Sequence, residues 1–182
     1  MIISSKPQEL VGTFQQGGVI AYPTEAVFGL GCDPLNEAAV MRLLEIKQRS
    51  IDKGLILIAA DFSQVSSFLL PISHHQQTYT QPSETTWIFP ATDDAPKWLT
   101  GKFDSLAVRI SKHPAVIQLC QVFNSALVST SANLSGLEPA KTSQEVISQL
   151  GKQLDGVLDA QVGSLGKPTE IRDSLSGRIV RA

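Results

Sequence analysis

Apolar positions along the chain fall mostly in short consecutive runs. Val19 to Tyr22, Leu55 to Ile58, Thr85 to Phe89, Leu106 to Ile110 and Ala126 to Ser129 read as buried strands. Between these runs the spacing shifts to three and four residues, the period of a helix. Leu10, Val11 and Phe14 follow Ser5-Lys6-Pro7-Gln8, a capping-box start, and Gly17-Gly18 stops that helix. Val40, Leu43 and Leu44 give a second helix, capped by Asn36 and ending near Lys47 to Arg49. Asp61 or Ser63 opens a third, with Val65, Phe68 and Leu69. Pro114 sits in the first turn of a fourth, and Thr142-Ser-Gln-Glu145 is a capping box for a fifth that runs to Leu150. Ser73 to Ser83 is polar and without period, and short strands near Val157, Glu170 to Arg172 and Arg178 to Val180 close the chain. Strands and helices alternate early and strands cluster late. The pattern predicts an α/β fold: a single domain over residues 1–182 with a twisted, mixed parallel and antiparallel sheet flanked by helices.

Composition narrows the setting. With 42% hydrophobic and 18% charged residues in 182, the chain is globular in type, and wholesale disorder is excluded. The longest strictly apolar run, Leu55 to Ala60, is far short of the ~20 residues of a membrane span. The first residues lack the apolar core and cleavage site of a signal peptide, so a cytoplasmic protein is expected. Cys32 and Cys120 stand far apart and give neither a disulfide framework nor a metal-type pair. Net charge is −2, unlike a protein that coats nucleic acid, but Arg42, Lys47, Arg49 and Lys53 lie close together with only Glu45 and Asp52 among them. Such a cluster suits a phosphate-bearing ligand, and equally a solvated helix face.

Several familiar signatures fail. Gly163-Ser-Leu-Gly166-Lys167-Pro168-Thr169 has Gln161 where a P-loop needs its first Gly, and Pro168 splits the Lys-Ser/Thr pair. Gly29-Leu-Gly31-Cys-Asp-Pro34 ends in Pro where a dinucleotide fingerprint needs its third Gly. His74, His75 and His113 have no metal-ligand spacing, and no Ser-His-Asp or Cys-His arrangement is evident. Ser50-Ile-Asp-Lys53, Ser131-Ala-Asn133 and Lys141-Thr142-Ser143 echo the elements of penicillin-binding acyl-enzymes. The last two crowd together here, although that chemistry puts them on separate structural elements. What remains is a set of short polar side chains at strand ends. Thr24 follows one strand; Ser129, Thr130, Ser131 and Asn133 crowd the exit of another, closed by Ser135-Gly136. Turn chemistry and a ligand loop at a strand's C-terminal end both fit.

The residues themselves resemble a family. The stretch Val19-Ile-Ala-Tyr-Pro-Thr-Glu-Ala-Val-Phe-Gly-Leu-Gly-Cys-Asp33 is joined by Lys47-Gln-Arg49, Ser105-Leu-Ala-Val-Arg109, Ser129-Thr-Ser-Ala-Asn-Leu-Ser-Gly136 and Lys167-Pro-Thr-Glu-Ile-Arg-Asp173. Together, in unbroken order from about Gly18 to Arg181, they resemble the YrdC/TsaC family in its short form. The resemblance implies a twisted α/β sheet with a concave cationic face. The implied activity is threonylcarbamoyl-AMP synthesis from L-threonine, bicarbonate and ATP, with Mg²⁺ accompanying the nucleotide and pyrophosphate released. TsaD, with TsaB and TsaE, would then pass the group to a tRNA adenosine. Carried over residue by residue, Thr24, Arg109, Ser129 and Thr169 would hold threonine, and Lys47, Arg49, Lys53, Ser105, Ser131, Asn133 and Arg181 would hold ATP. Such chemistry needs no strong general base, because the carbamate of threonine is already an anion. Four places depart from the family's usual pattern; at one, Thr169 stands for the usual Ser and keeps the hydroxyl. Lys53-Gly54-Leu55 replaces Asn-Pro-Leu, Ile58 replaces a His, and Pro82-Ser83-Glu84 replaces Pro-Gly-Pro, so that an acidic side chain is expected near a polyphosphate. An RNA-binding module using the Arg42 to Lys53 cations is the alternative reading.

Overall fold

Ten strands hydrogen-bond into one sheet, and the helices cover its two faces unequally. The computed structural model describes residues 1–134 and 136–181, so Ser135 of the β-strand exit loop lies outside the described residues. The strands are β1 (Ile2–Ser4), β2 (Ile20–Pro23), β3 (Phe28–Gly31), β4 (Ile56–Ala59), β5 (Thr85–Pro90), β6 (Ser105–Ile110), β7 (Leu127–Ser131), β8 (Gly156–Leu158), β9 (Glu170–Asp173) and β10 (Ile179–Arg181). Their order is β1-β8-β2-β3-β7-β4-β6-β5-β9-β10. Parallel pairs (β1 with β8, β2 with β8, β4 with β6, β5 with β9) mix with antiparallel ones, as the run of late strands predicts. The helices are α1 (Val11–Gln15), α2 (Glu37–Lys47), α3 (Lys97–Thr100), α4 (Pro114–Phe123) and α5 (Ser143–Leu150).

The alternation of side chains along each strand decides what each face does. One face sends Leu57, Ala59, Val108, Val128, Phe28 and Leu30 into a core with Val40, Leu43 and Leu44 of α2 and Val146 and Leu150 of α5. Leu43, Leu57 and Val128 are fully buried, each worth about 1.5–3 kcal/mol. On the other face, the pairings Ile58↔Arg109, Ile56↔Ala107, Ile56↔Ser129 and Ile88↔Ala107 place these residues side by side. There α4 and the N-terminal turn cover only half of the sheet. Val116, Leu119, Leu10 and Phe14 pack on Ile20, Tyr22, Ile58 and Leu127, with Phe14 stacked on Phe123 at 4.1 Å. The other half, over β4, β6 and β5, is left open.

Local outcomes differ from the sequence pattern in five places. The box at Ser5 does not form. Ser4 instead accepts the Lys6 N–H at 3.0 Å and donates to Glu9 at 2.8 Å, and a 3₁₀ turn over Pro7–Leu10 precedes α1. Asp61 and Gln64 do form a capping box, but it opens two 3₁₀ turns, Phe62–Gln64 and Ser66–Phe68, rather than a helix. β1 and β3 are strands the pattern hides, one by its three-residue length and one by its two glycines. α3 was likewise unforeseen, since four residues carry no period. No helix among the described residues is long and apolar enough to cross a membrane.

Candidate active site

The uncovered half of the sheet forms a cavity of about 640 Å³, within the range of small-molecule sites. Ile56, Ala107 and Ile88 line it from adjacent strands, and Leu55, Leu99, Phe103 and Val180 extend the apolar lining. Against this apolar ground stand five cationic residues, Arg49, Lys53, Arg109, Lys167 and Arg181, and among the described residues no carboxylate side chain lines the cavity. A low-dielectric wall beneath clustered positive charge strengthens their field, so the cavity selects anions.

Arg109 holds the deep end. Its side chain is only 8% exposed; Nη1 donates to Thr169 Oγ1 at 2.7 Å, and Nη2 lies 3.5 Å from Glu25 Oε2. Thr169 in turn sits 3.2 Å from Thr86 Oγ1, so the hydroxyl is held on both sides. Thr24 is fixed by its own turn: its backbone N–H and its hydroxyl both donate to the Val27 carbonyl, at 3.0 and 2.7 Å. With its proton committed, Thr24 Oγ1 meets a ligand only as an acceptor. Ser129 lies beside Ile56 on β7, nearly buried and facing the same space.

The mouth is built by the end of α2. Gln48 takes a left-handed conformation (φ 48°) and ends the helix, which turns the chain back so that Arg49 reaches the cavity. Arg49 Nη2 donates to the Gly54 carbonyl at 2.9 Å while its buried Nε has no protein partner. Burial lowers the pKa of Arg49, and burial together with the Arg109 and Arg49 charges lowers that of Arg181, as expected where cations share one site. Lys53 and Ser105 also line the cavity.

Lys47 and Asn133 stand behind the lining rather than in it. Lys47 Nζ donates to the Ser131 carbonyl at 2.7 Å, the Asn133 carbonyl at 2.5 Å and Asn133 Oδ1 at 2.9 Å. Asn133 Oδ1 also accepts from Ser131 Oγ at 2.7 Å, and its amide donates to the Leu134 and Leu137 carbonyls. The two residues thus fasten the loop that presents Ser131. Burial, helped by the neighbouring Arg49, pulls the Lys47 pKa down to about 8, which leaves it mostly protonated at neutral pH. Lys47→Met removes a charged donor shared by three oxygens of this loop, and nucleotide affinity is expected to fall about tenfold with the loop's loss of order. A titration of ATP against both proteins checks this.

Three further unusual positions also find their places. Lys53 lines the cavity. Ile58 is buried against α4 in the second core and does not touch the site, while Glu84 is exposed and outside the lining, so it sets no charge against a bound anion. The cations clustered in sequence do not form one surface. Arg42 pairs with Asp155 and the Gln153 carbonyl, Lys47 is tied to the β7 loop, and only Arg49 and Lys53 reach the cavity. That removes the continuous basic face on which the RNA reading was based. Lys167 and Glu25 were passed over in sequence. Both sit inside the quoted motifs, but a lone Lys in a failed P-loop and a Glu beside a Thr carry no signal of their own.

A family model named for Sua5, YciO and YrdC, and described as telomere recombination, matches residues 13–182. The chain belongs to the Sua5/YciO/YrdC family. Within this family it is 50% identical over 176 residues to the threonylcarbamoyl-AMP synthase of Klebsiella pneumoniae, covering 94% of this chain and 92% of the relative. The Shigella boydii threonylcarbamoyl-AMP synthase is 53% identical over 168 residues, 90% of this chain and 88% of that one. Among solved structures, P. abyssi Sua5 complexed with L-threonine superposes with a TM-score of 0.88 at 26% identity. It matches 95% of this chain, which spans 54% of the P. abyssi protein. E. coli YciO gives 0.80 at 26% identity over 100% of this chain and 93% of its own.

Proposed function

We propose that this chain is a threonylcarbamoyl-AMP synthase, joining L-threonine, bicarbonate and ATP with release of pyrophosphate. The observation that carries the reading is an anion-selective cavity with a buried arginine fork at its deep end, in a chain half identical to enzymes of that name over 94% of its length. The threonine carboxylate would meet Arg109 beside Thr169, and Thr24 Oγ1 would accept from the amino acid nitrogen. Threonine and bicarbonate form a carbamate with loss of water. Its anionic oxygen attacks the α-phosphorus, the bond to the bridging oxygen breaks, and pyrophosphate leaves with the electron pair. No general base is required; the work is bringing two anions together and stabilising the charge on the leaving group. Arg49, Lys53, Arg181 and Ser131, all in the lining, would hold the phosphates, and Lys167 would add a further cation.

Mg²⁺ would arrive as part of the nucleotide. Among the described residues no group of three or more His, Cys, Asp or Glu gathers, and the cavity has no carboxylate, so phosphate oxygens and water would carry the ion. The product, a mixed anhydride, calls for an acceptor. TsaD with TsaB and TsaE, acting on a tRNA adenosine in the cytoplasm, is the reading that the resemblance supports. Pyrophosphate release measured with and without L-threonine tests the proposal, since release that ignores threonine refutes it. Arg49→Ala and Ser131→Ala are each expected to weaken ATP binding about 10- to 100-fold with the melting temperature nearly unchanged. Intact affinity in both would overturn the phosphate assignment.

A further inference from the structure

We propose that Glu25 is a positioning residue that neutralises Arg109 from behind while Ser111 holds its carboxylate off the guanidinium, leaving the fork open to the substrate. The inference rests on the assignment of Arg109 to the amino-acid carboxylate.

A guanidinium buried as deeply as that of Arg109 needs a counter-charge, because desolvation of a lone charge is costly. Yet a carboxylate in the usual bidentate contact would occupy the donors a ligand must use. The geometry meets both demands. The short bond of Arg109 goes to a neutral hydroxyl, Thr169 Oγ1, at 2.7 Å. Its one carboxylate partner among the described residues, Glu25, stands 3.5 Å away with no hydrogen bond between them. Both Glu25 Oε2 and Arg109 Nε are buried without hydrogen-bond partners, an uncommon state for charged groups.

What keeps the pair apart is visible on the Glu25 side. Ser111 Oγ donates to Glu25 Oε1 at 2.5 Å and accepts the His113 N–H at 3.0 Å, and the Ser111 N–H is bound to the Ala59 carbonyl at 2.9 Å. The backbone of Glu25 is clamped as well. Gly163 N–H bonds the Thr24 carbonyl at 2.8 Å and Leu165 N–H the Glu25 carbonyl at 3.0 Å. A Cβ on Gly163 would lie 2.6 Å from the Glu25 carbonyl oxygen, so this approach needs glycine. Burial raises the Glu25 pKa, but the Arg109 charge and the Ser111 hydroxyl together outweigh it, so the carboxyl is ionised at neutral pH. The carboxylate is charged, near and restrained.

The test is steady-state pyrophosphate release with varied L-threonine and varied ATP, using the full chain. Glu25→Gln removes the opposing charge, and the guanidinium, repelled by its cationic neighbours, leaves its seat; KM for L-threonine is expected to rise about tenfold while KM for ATP stays put. Ser111→Ala frees Glu25 to swing onto the fork and raises the same KM by a similar factor. The decisive result is the double variant. With no carboxylate to restrain, Glu25→Gln/Ser111→Ala should be no worse than Glu25→Gln alone. Additive effects, an unmoved threonine KM, or equal changes for ATP overturn the proposal. If Glu25→Gln does not fold, Glu25→Asp takes its place: it keeps the charge on a shorter arm, and an unmoved threonine KM in both Glu25→Asp and Ser111→Ala overturns the proposal. A turnover-free arm separates this inference from the functional reading. The Arg109 Nε–H resonance, assigned by its loss in Arg109→Lys, should shift in both single variants. Wild-type protein lacking threonine-dependent release would refute the function, whereas an unmoved resonance in both variants would refute the role of Glu25.

Discussion

Replacing Arg109 with alanine is expected to lower threonine-dependent pyrophosphate release about 30- to 1,000-fold, the effect of deleting one partner of a buried, hydrogen-bonded charge pair. Arg49, Lys53, Lys167 and Arg181 also line the cavity, but among the described residues only Arg109 is both bonded to Thr169 Oγ1 and set beside Glu25. ATP titration should therefore show affinity retained while the threonine response disappears. The same substitution strands Glu25, whose carboxylate would be left buried without an opposing charge. Stability is expected to fall by about 3–5 kcal/mol, measured by urea unfolding. Arg109→Ala/Glu25→Ala should recover much of that stability and none of the activity, which separates the two roles of one side chain. Arg109→Lys keeps a charge but not a planar fork, and should raise KM for threonine with the fold intact. Full activity in Arg109→Ala would remove the carboxylate assignment altogether.

Gly31→Ala is expected to destabilise the fold by about 3 kcal/mol, the upper end of what overpacking does in a core. β3 crosses the middle of the sheet between β2 and β7. A Cβ at Gly31 would fall far inside contact distance of the Val128 carbonyl oxygen and 2.8 Å from Tyr22 Cε1. Neither neighbour can give way. The carbonyl belongs to a paired strand, and the Tyr22 hydroxyl is bonded to that same carbonyl at 3.1 Å in a fully buried position. The urea midpoint should drop with the slope unchanged. Gly166→Ala is the control: a Cβ there meets nothing within 4 Å, and its effect should stay within about 0.5 kcal/mol. A Gly31→Ala midpoint equal to wild type would mean that β3 can shift away from β7 and the Tyr22 ring at that point.

Elements with their own chemical punctuation were legible in the sequence. α2 starts at Asn36, which accepts from the Ala39 N–H as expected of a cap, and α5 starts at Thr142, which accepts from the Glu145 N–H. β4, β6 and β7 announce themselves as apolar runs because each is buried on at least one face along most of its length. β3 does not, since Phe28-Gly-Leu-Gly31 is half glycine and owes its extended form to neighbours on both sides. The sequence pattern at Asp61 named the cap correctly and misjudged what it caps, because propensity cannot say how soon the chain must turn to cover Phe89.

The site divides along the same line. By itself the sequence determined the kinds of side chain available, the strand ends that carry Thr24, Arg109, Ser129 and Thr169, and, through its motifs, the family. Hydroxyls and cations are properties of composition and order, so they can be read from a string of residues. Only the tertiary structure decided which cations face one another. Lys47 and Arg49 are two residues apart, yet one braces the β7 loop and the other enters the cavity, because a left-handed Gln48 lies between them. Glu25 and Arg109 are far apart in the chain and become partners only when β2 and β6 end over the same open half of the sheet. Charge acts through distance and dielectric, and neither exists until the chain has folded.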